Sequence, residues 1–407
     1  SLDQTSLQQD PLNELLRLYR SASEQCGEDD MVRDNCRKEL VALQQGDEEN
    51  LSIWRECVRL SREGLEVIYD RLGVSFDHWL GESSYNDRLS AVVEDLVECG
   101  LAHESDGAIC VFSAGSEDPG VDPFKIQKDG DWEDKPMIVR KSDGGFNYAT
   151  TDIATVDYRM EKSLRQMRPG MSWIRQGDHF RQLFAVAERR GCQMGLEHVS
   201  FGTILGKDGK PLKTRSGDLP LLSDLLDDAV EAARESSEGR SRVEQREERE
   251  ALAELIGISA IKFMELSHHR TSDYIFDLDK MVSMEGDTAP YLQYSYVRCR
   301  SIFAKLGGDY VPAGTDFELS DEKEVHLVRM LVRFGEVVPV VLEGFRPNLL
   351  AGYLLDLARA YHSFFQSCPV LKSEGAIRDT RLALCELTSR VLRQGLQLLG
   401  IEVPERM

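Results

Sequence analysis

Three short clusters in this 407-residue chain combine side chains that could do chemistry. The first, Tyr148-Ala149-Thr150-Thr151-Asp152-Ile153, puts a phenol, two hydroxyls and a carboxylate where a strand gives way to a helix. A hydroxyl-rich turn at such a place also makes a helix cap, so capping and ligand binding are both open readings. The second, Arg175-Gln176-Gly177-Asp178-His179-Phe180, has the same strand-into-helix setting. Asp178 there suits an N-cap, and His179 reads equally as a satisfied surface histidine. The third is Lys207-Asp208-Gly209-Lys210-Pro211-Leu212-Lys213-Thr214-Arg215-Ser216-Gly217, a cation-dense mobile loop. Such a run is commonly a solvated face. Placed after a strand in an α/β domain it also suits polyphosphate, because lysines and arginines neutralise charge developing on phosphoryl oxygens.

The elements that must hold these clusters follow from periodicity. Met137-Ile138-Val139-Arg140 reads as a strand, and Lys141-Ser142-Asp143-Gly144-Gly145 as a tight turn before Phe146-Asn147-Tyr148-Ala149. A helix is expected from about Thr151, a short strand over Ser172-Trp173-Ile174-Arg175, and a helix from His179 to Arg190, closed by Gly191. A strand from Val199 to Leu205 then feeds the basic loop. Strands alternating with helices predict α/β architecture with ligands at the strand ends.

Upstream, the first 47 residues read as one or two loosely attached surface helices, followed by amphipathic helices over Leu51–Leu72 and Arg88–Cys99. Short strands and turns are expected from Leu101 to Asp134. The almost wholly polar stretch from Arg234 to Glu250 marks the best domain boundary. Beyond it the sequence is helical, with apolar-periodic stretches over Leu252–Leu266, Tyr291–Leu306, Val325–Phe345, Leu349–Ser367 and Thr380–Leu399. The expected division is 1–134 as a helical and connecting region, 135–240 as an α/β domain, 241–250 as linker, and 251–407 as an independently folding helical domain.

Composition narrows the function classes. Apolar residues are 41% and charged residues 29%, which excludes disorder as a description of the whole. No apolar stretch approaches the ~20 residues a bilayer span needs, and no signal-peptide pattern opens the chain. The expectation is a cytoplasmic protein without a membrane partner; Ser1 in place of a first Met reads as processing or trimming. The formal charge of −22 argues against a non-specific nucleic-acid coat, but residues 251–407 carry only −4, which permits a specific RNA partner there. None of the nine cysteines is in C-x-x-C spacing, so no metal site is expected and most should be small buried hydrophobes.

Together the clusters resemble class I aminoacyl-tRNA synthetases, in particular the arginyl-tRNA synthetases. The likeness runs from about Trp54 to Met407 and includes Gly81-Glu82-Ser83, Lys141 to Gly145, Tyr148 to Asp152, and Arg175-Gln176 with His179-Phe180-Arg181-Gln182. Gly209 to Gly217 looks like this family's degenerate form of the Lys-Met-Ser-Lys-Ser loop. Gly286 to Tyr294 and the terminal Val403-Pro404-Glu405-Arg406-Met407 resemble the helical anticodon-binding domain. The order and joint spacing of these motifs make the resemblance specific.

The resemblance implies part of a Rossmann-like nucleotide-binding catalytic domain followed by a helical-bundle anticodon domain. It implies attachment of arginine to its tRNA through an arginyl-adenylate, with arginine, tRNA and ATP as partners. Mg2+ would accompany ATP, with no tightly bound cofactor, in a monomer. Tyr148, Asp152 and Gln176 would hold arginine, and Lys210 and Lys213 the phosphates. His198, Phe201 and Gly202 would stand on the adenine side. Tyr291, Tyr294, Arg298, Arg390 and Met407 would meet tRNA. One departure stands against this: none of the eight histidines is arranged as His-x-Gly-His, the family's other ATP-gripping signature. The chain is therefore expected to begin beyond that half of the fold and to show negligible aminoacylation alone. The alternative is a non-catalytic, tRNA-binding relative.

Overall fold

The computed structural model describes the chain except residues 1–3, 163–176, 213–220, 238–242, 244 and 308–316. Four helices come first: α1 (Gln4–Gln9), α2 (Pro11–Glu28), α3 (Asp30–Gln44) and α4 (Glu48–Arg71). Short acidic side chains set the starts of α2, α3 and α4: Asp10, Asp29 and Asp47 each accept from a backbone N–H of the following turn. Gly64 of α4 lets Leu12 of α2 approach, since a Cβ there would lie 2.5 Å from Leu12. At its far end α4 is tied to the rest of the molecule. Arg71 bridges Asp227 at 2.7 Å and Glu254 at 2.9 Å, and Lys262 donates to the Leu72 carbonyl at 2.6 Å.

The middle region is built on α5 (Leu89–Glu98) and an antiparallel sheet of β1 (Ala102–Ser105), β2 (Ala108–Val111) and β5 (Met137–Arg140). A separate hairpin joins β3 (Lys125–Lys128) to β4 (Asp131–Asp134). Two helices, α6 (Tyr148–Glu161) and α7 (Gly177–Arg189), pack with α5 and the sheet around Leu96, Val111, Phe124, Val139, Ile153 and Val186. The helix expected from Thr151 begins earlier, at Tyr148. Asn147 caps it by accepting from the Ala149 N–H at 3.0 Å, so Tyr148-Ala149 is helix rather than strand. The strand expected over Val199–Leu205 is reduced to β6 (Ile204–Leu205), which pairs in parallel with β7 (Tyr274–Ile275). The strand expected at Ser172–Arg175 lies outside the described residues.

Between β6 and β7 run α8 (Leu222–Ser237) and α9 (Arg246–Ser267). Residues 246–250, expected as linker, form the first turn of α9 instead. Apolar residues almost all round α9 explain why: Ala253, Ile256 and Ile261 bury against α8, while Phe263 enters the C-terminal core. The expected division at residue 250 therefore cuts a helix shared by two cores. Gly257 allows the close α8–α9 crossing, because a Cβ would sit 2.7 Å from the Val230 backbone. Gly257→Ala should cost ~1–3 kcal/mol of overpacking against the ~1 kcal/mol alanine gains in a helix. A net loss in urea unfolding is expected; a gain would contradict the crossing.

The C-terminal region consists of α10 (Leu278–Met281), α11 (Ala289–Leu306), α12 (Glu322–Val332), α13 (Phe334–Gly344), α14 (Pro347–Ser367) and α15 (Gly375–Leu398). Its core gathers Leu292, Phe303, Leu327, Leu354, Tyr361 and Phe364. The expected continuous stretch Val325–Phe345 divides at Arg333 into α12 and α13. Cysteine burial is also less general than expected: Cys110, Cys299, Cys368 and Cys385 are buried, whereas Cys36 and Cys99 are exposed. No helix among the described residues is long and apolar enough to cross a membrane.

Candidate functional site

The paired starts of α6 and α7 bring the first two sequence clusters together. The N-terminus of α6 is fixed twice, by the Asn147 cap and by the buried Thr150 hydroxyl, which donates to the Val139 carbonyl of β5. Thr150 is thus structural. Tyr148 and Asp152, four residues apart, share one face of α6. Tyr148 is 62% exposed, and the Asp152 side chain 34%. Across from them on α7, His179 places Nε2 2.6 Å from Asp152 Oδ2, and its ring lies edge-on to Tyr148 with centroids 4.7 Å apart. A carboxylate only accepts, so Nε2 carries the hydrogen and donates. Asp178 does not act as the cap expected of it; it pairs with Lys135 at 2.6 Å, and the ammonium holds its carboxyl below the usual range.

A phenol, a carboxylate and an imidazole at an open pair of helix starts can take a planar cation, because a carboxylate matches a guanidinium fork. Gln176, the third expected member, lies outside the described residues. His179, which its sequence setting leaves open to reading as a surface histidine, has a side chain only 12% exposed and engaged with Asp152. Its partner is 27 residues away, so no local spacing signals the contact. The one hint in the sequence is that both residues stand in motifs beginning a helix.

Of the expected adenine-side residues, His198 adjoins this cluster. His198 stacks on Phe180, with ring centroids 5.1 Å apart and 13° between planes. Phe201 is exposed beside an apolar cavity of about 910 Å³ that Leu212, His268, Tyr274 and Phe345 also line. Gly202 is required by close packing. Its N–H donates to the Arg270 carbonyl at 2.7 Å, and a Cβ would lie 2.5 Å from the Ser272 carbonyl oxygen. That N–H is therefore committed within the protein rather than turned to a ligand.

The start of the basic loop is an ordered turn. Gly206 donates to the Lys210 carbonyl at 2.7 Å, Gly209 takes φ +72°, and Leu212 returns to Ile204 at 3.0 Å. The two lysines of the turn differ. Lys207 is paired with Asp277 at 3.2 Å and Asp279 at 3.4 Å, whereas Lys210 is exposed and has no ion-pair partner among the described residues. Lys213 lies outside the described residues. Among the described residues no three His, Cys, Asp or Glu side chains gather as a metal site.

The expected tRNA residues separate. Tyr291 packs half-buried against the C-terminal core, and burial pushes its hydroxyl pKa up. Tyr294, one turn along α11, is 45% exposed. Arg298 lies over the Phe365 ring at 4.3 Å, with His362 Nδ1 3.2 Å from its Nη1. Arg390 belongs to another face. It pairs at 2.8 Å with Glu386, which also takes Arg300, and Arg300 stands roughly 200° around α11 from Arg298. Met407 packs half-buried against the α8–α9 cluster.

Comparison with known proteins identifies two matched regions of the chain. Residues 1–278 match the family model for the catalytic domain of class I tRNA synthetases of the arginine type, and residues 292–407 match the DALR anticodon binding domain. The chain is 45% identical over 392 residues to the arginine–tRNA ligase of Rhodopirellula baltica, covering 91% of this chain and 55% of that protein. It is 41% identical to that of Idiomarina loihiensis, covering 97% and 67%. Among solved structures, arginyl-tRNA synthetase from Plasmodium falciparum superposes with TM-score 0.71 at 25% identity, covering 93% of this chain and 62% of that one. The Thermus thermophilus structure shares the fold, with TM-score 0.79 at 22% identity, covering 97% and 70%. The chain thus spans between about half and two thirds of the length of the curated relatives it matches.

Proposed function

The chain belongs to the class I arginyl-tRNA synthetase family, and from that premise we propose that it serves an arginine–tRNA ligase by seating arginine between α6 and α7 and meeting tRNA with its C-terminal helices. In that reaction the arginine carboxylate attacks the α-phosphorus of ATP and pyrophosphate leaves. The adenylate then esterifies the terminal ribose of tRNA. Neither step needs a side-chain nucleophile, so the work falls to positioning and electrostatics.

The observation that carries this reading is the juxtaposition of Tyr148, Asp152 and His179 at two helix starts. Asp152 accepts from the guanidinium fork, while Tyr148 and Gln176 add neutral hydrogen bonds that separate arginine from lysine. Lys210, exposed on its turn, and Lys213 meet charge moving toward pyrophosphate on Mg2+-bound ATP, which is a substrate here. His198 and Phe201 border the adenine side. A monomeric, cytoplasmic state belongs to the same reading.

On α11 the exposure difference divides the two tyrosines. Aromatic faces stack unpaired bases for ~1–3 kcal/mol each. Tyr294→Ala should lose that much tRNA affinity at nearly unchanged thermal stability, whereas Tyr291→Ala, which strips a half-buried ring from the core, should lower the melting midpoint. Filter binding with thermal denaturation checks both. Full tRNA affinity in Tyr294→Ala would remove this face from recognition.

The reaction itself is tested by amino-acid-dependent ATP–pyrophosphate exchange in the protein expressed from its uninterrupted reading frame. Arginine alone among the twenty amino acids should drive exchange. The 407 residues by themselves, which contain no His-x-Gly-His, should stay at background. Exchange driven by another amino acid overturns the reading; none at all, with tRNA binding intact, leaves the non-catalytic tRNA-binding relative.

A further inference from the structure

We propose that His179 is a positioning residue of the arginine seat, holding the Asp152 carboxylate in the one rotation that presents it to a guanidinium. The inference rests on the reading of Tyr148 and Asp152 as that seat.

An aspartate at the open start of a helix pair turns freely about its last torsion, and each rotation offers an incoming planar cation a different edge. Here one oxygen is fixed. His179 Nε2 donates to Asp152 Oδ2 at 2.6 Å, and Oδ1 has no hydrogen-bond partner among the described residues. The carboxylate, 34% exposed, is thus held at one oxygen and left open at the other. The histidine is itself held. Its ring is met edge-on by Tyr148 at 4.7 Å and by Phe180 at 5.2 Å, and Phe180 is backed by the flat-stacked His198 at 5.1 Å. The same imidazole therefore touches both Tyr148 and Asp152, the two expected arginine contacts on α6. Asp152 is not needed to cap its helix, since Asn147 does so. The 2.6 Å contact consequently has no helix-forming role to account for it.

Ordering a carboxylate before the substrate arrives spares that cost on binding, and by analogy with partners that orient metal-holding side chains, which change affinity about 10- to 100-fold, the effect should be sizeable. The expected effect of losing the donor is a roughly tenfold weaker arginine affinity, at the low end of that range, with little change for ATP.

Calorimetric titration of the 407-residue chain with L-arginine tests this in the wild type, H179F, H179Q and D152A. A packing role and a donor role order the two His179 variants oppositely. Phenylalanine keeps the ring contacts but cannot donate, whereas glutamine keeps a donor at similar reach without the ring. Positioning predicts that H179F melts close to wild type and binds arginine about tenfold more weakly, and that H179Q recovers most of the affinity. H179F binding like wild type, or H179Q binding more weakly than H179F, overturns the proposal. If H179F does not fold, H179L stands in for it, and a folded H179Q with more than about a tenfold loss overturns the proposal alone. If D152A weakens arginine while H179F does not, only the role of His179 falls. If D152A binds as well as wild type, the arginine seat itself is wrong and this inference falls with it.

Discussion

Asp152→Ala is expected to weaken arginine binding by ~1.5–3 kcal/mol, about 10- to 150-fold, the typical worth of a hydrogen bond to a charged group. ATP affinity should change far less, because the expected phosphate contacts come from the turn after β6. Stability should also change little. The carboxylate is 34% exposed and its helix is capped by Asn147, so the one bond lost is that from His179 Nε2, whose side chain is 12% exposed. Titration of arginine and ATP against wild type and variant separates the outcomes. Equal losses for both ligands, or a fall in melting midpoint that accounts for the loss, would make Asp152 structural.

Glu324→Ala should cost ~3–5 kcal/mol of folding stability without touching the arginine seat, the range for breaking one partner out of a buried ion pair. The Glu324 side chain is 0% exposed and Arg381 10%, with Nε 2.6 Å from the carboxylate. The carboxylate also receives the Ser320 N–H at 2.6 Å and the Asp321 N–H at 3.1 Å, completing a capping box at the start of α12. Alanine would leave two helix-start donors and the Arg381 Nε unanswered and the buried guanidinium without its counter-charge, although Nη1 keeps the Pro369 carbonyl and Ser373 Oγ. Burial alone would raise the Glu324 pKa, but Arg381 and the two N–H groups outweigh it and hold the carboxyl below the usual range. A depressed folded-state pKa contributes stability that is present above the unfolded value near 4.5 and lost as pH falls through the folded value. The wild-type stability advantage over Glu324→Ala should therefore shrink in acid below that pH. Urea unfolding of both chains at neutral and acid pH measures it; a difference under ~1 kcal/mol at neutral pH, well short of the buried-pair range, would contradict the account.

How much of this is legible in the sequence depends on whether the deciding contact is local. Strict 3.6-residue periodicity places α11, α14 and α7, and Gly191 at φ +79° ends the last as expected. The start of α6 is harder to place, because the β-like run Phe146–Ala149 competes with a cap supplied by Asn147, and the helix begins at Tyr148 rather than Thr151. The break between α12 and α13 is hidden because apolar residues continue across Arg333 and the later Pro339 is accommodated inside α13. The polar stretch before residue 251 has the composition of a linker; its last turn, itself exposed, is the first turn of a helix whose later residues bury on α8 and in the C-terminal core. In the site, Tyr148 and Asp152 are accessible through their shared motif. His179 is not, since its bond to Asp152 crosses between helices. Composition likewise does not tell which lysine of the basic turn is spent on Asp277 and Asp279 and which is left exposed.

We propose above all that the α6–α7 seat takes the arginine side chain through Asp152. A crystal structure of the 407-residue chain with L-arginine tests it most directly. The guanidinium is expected within hydrogen-bond distance of the Asp152 carboxylate, with Tyr148 alongside and the His179 contact retained. Arginine bound elsewhere, or bound here with its guanidinium turned away from Asp152, would contradict it.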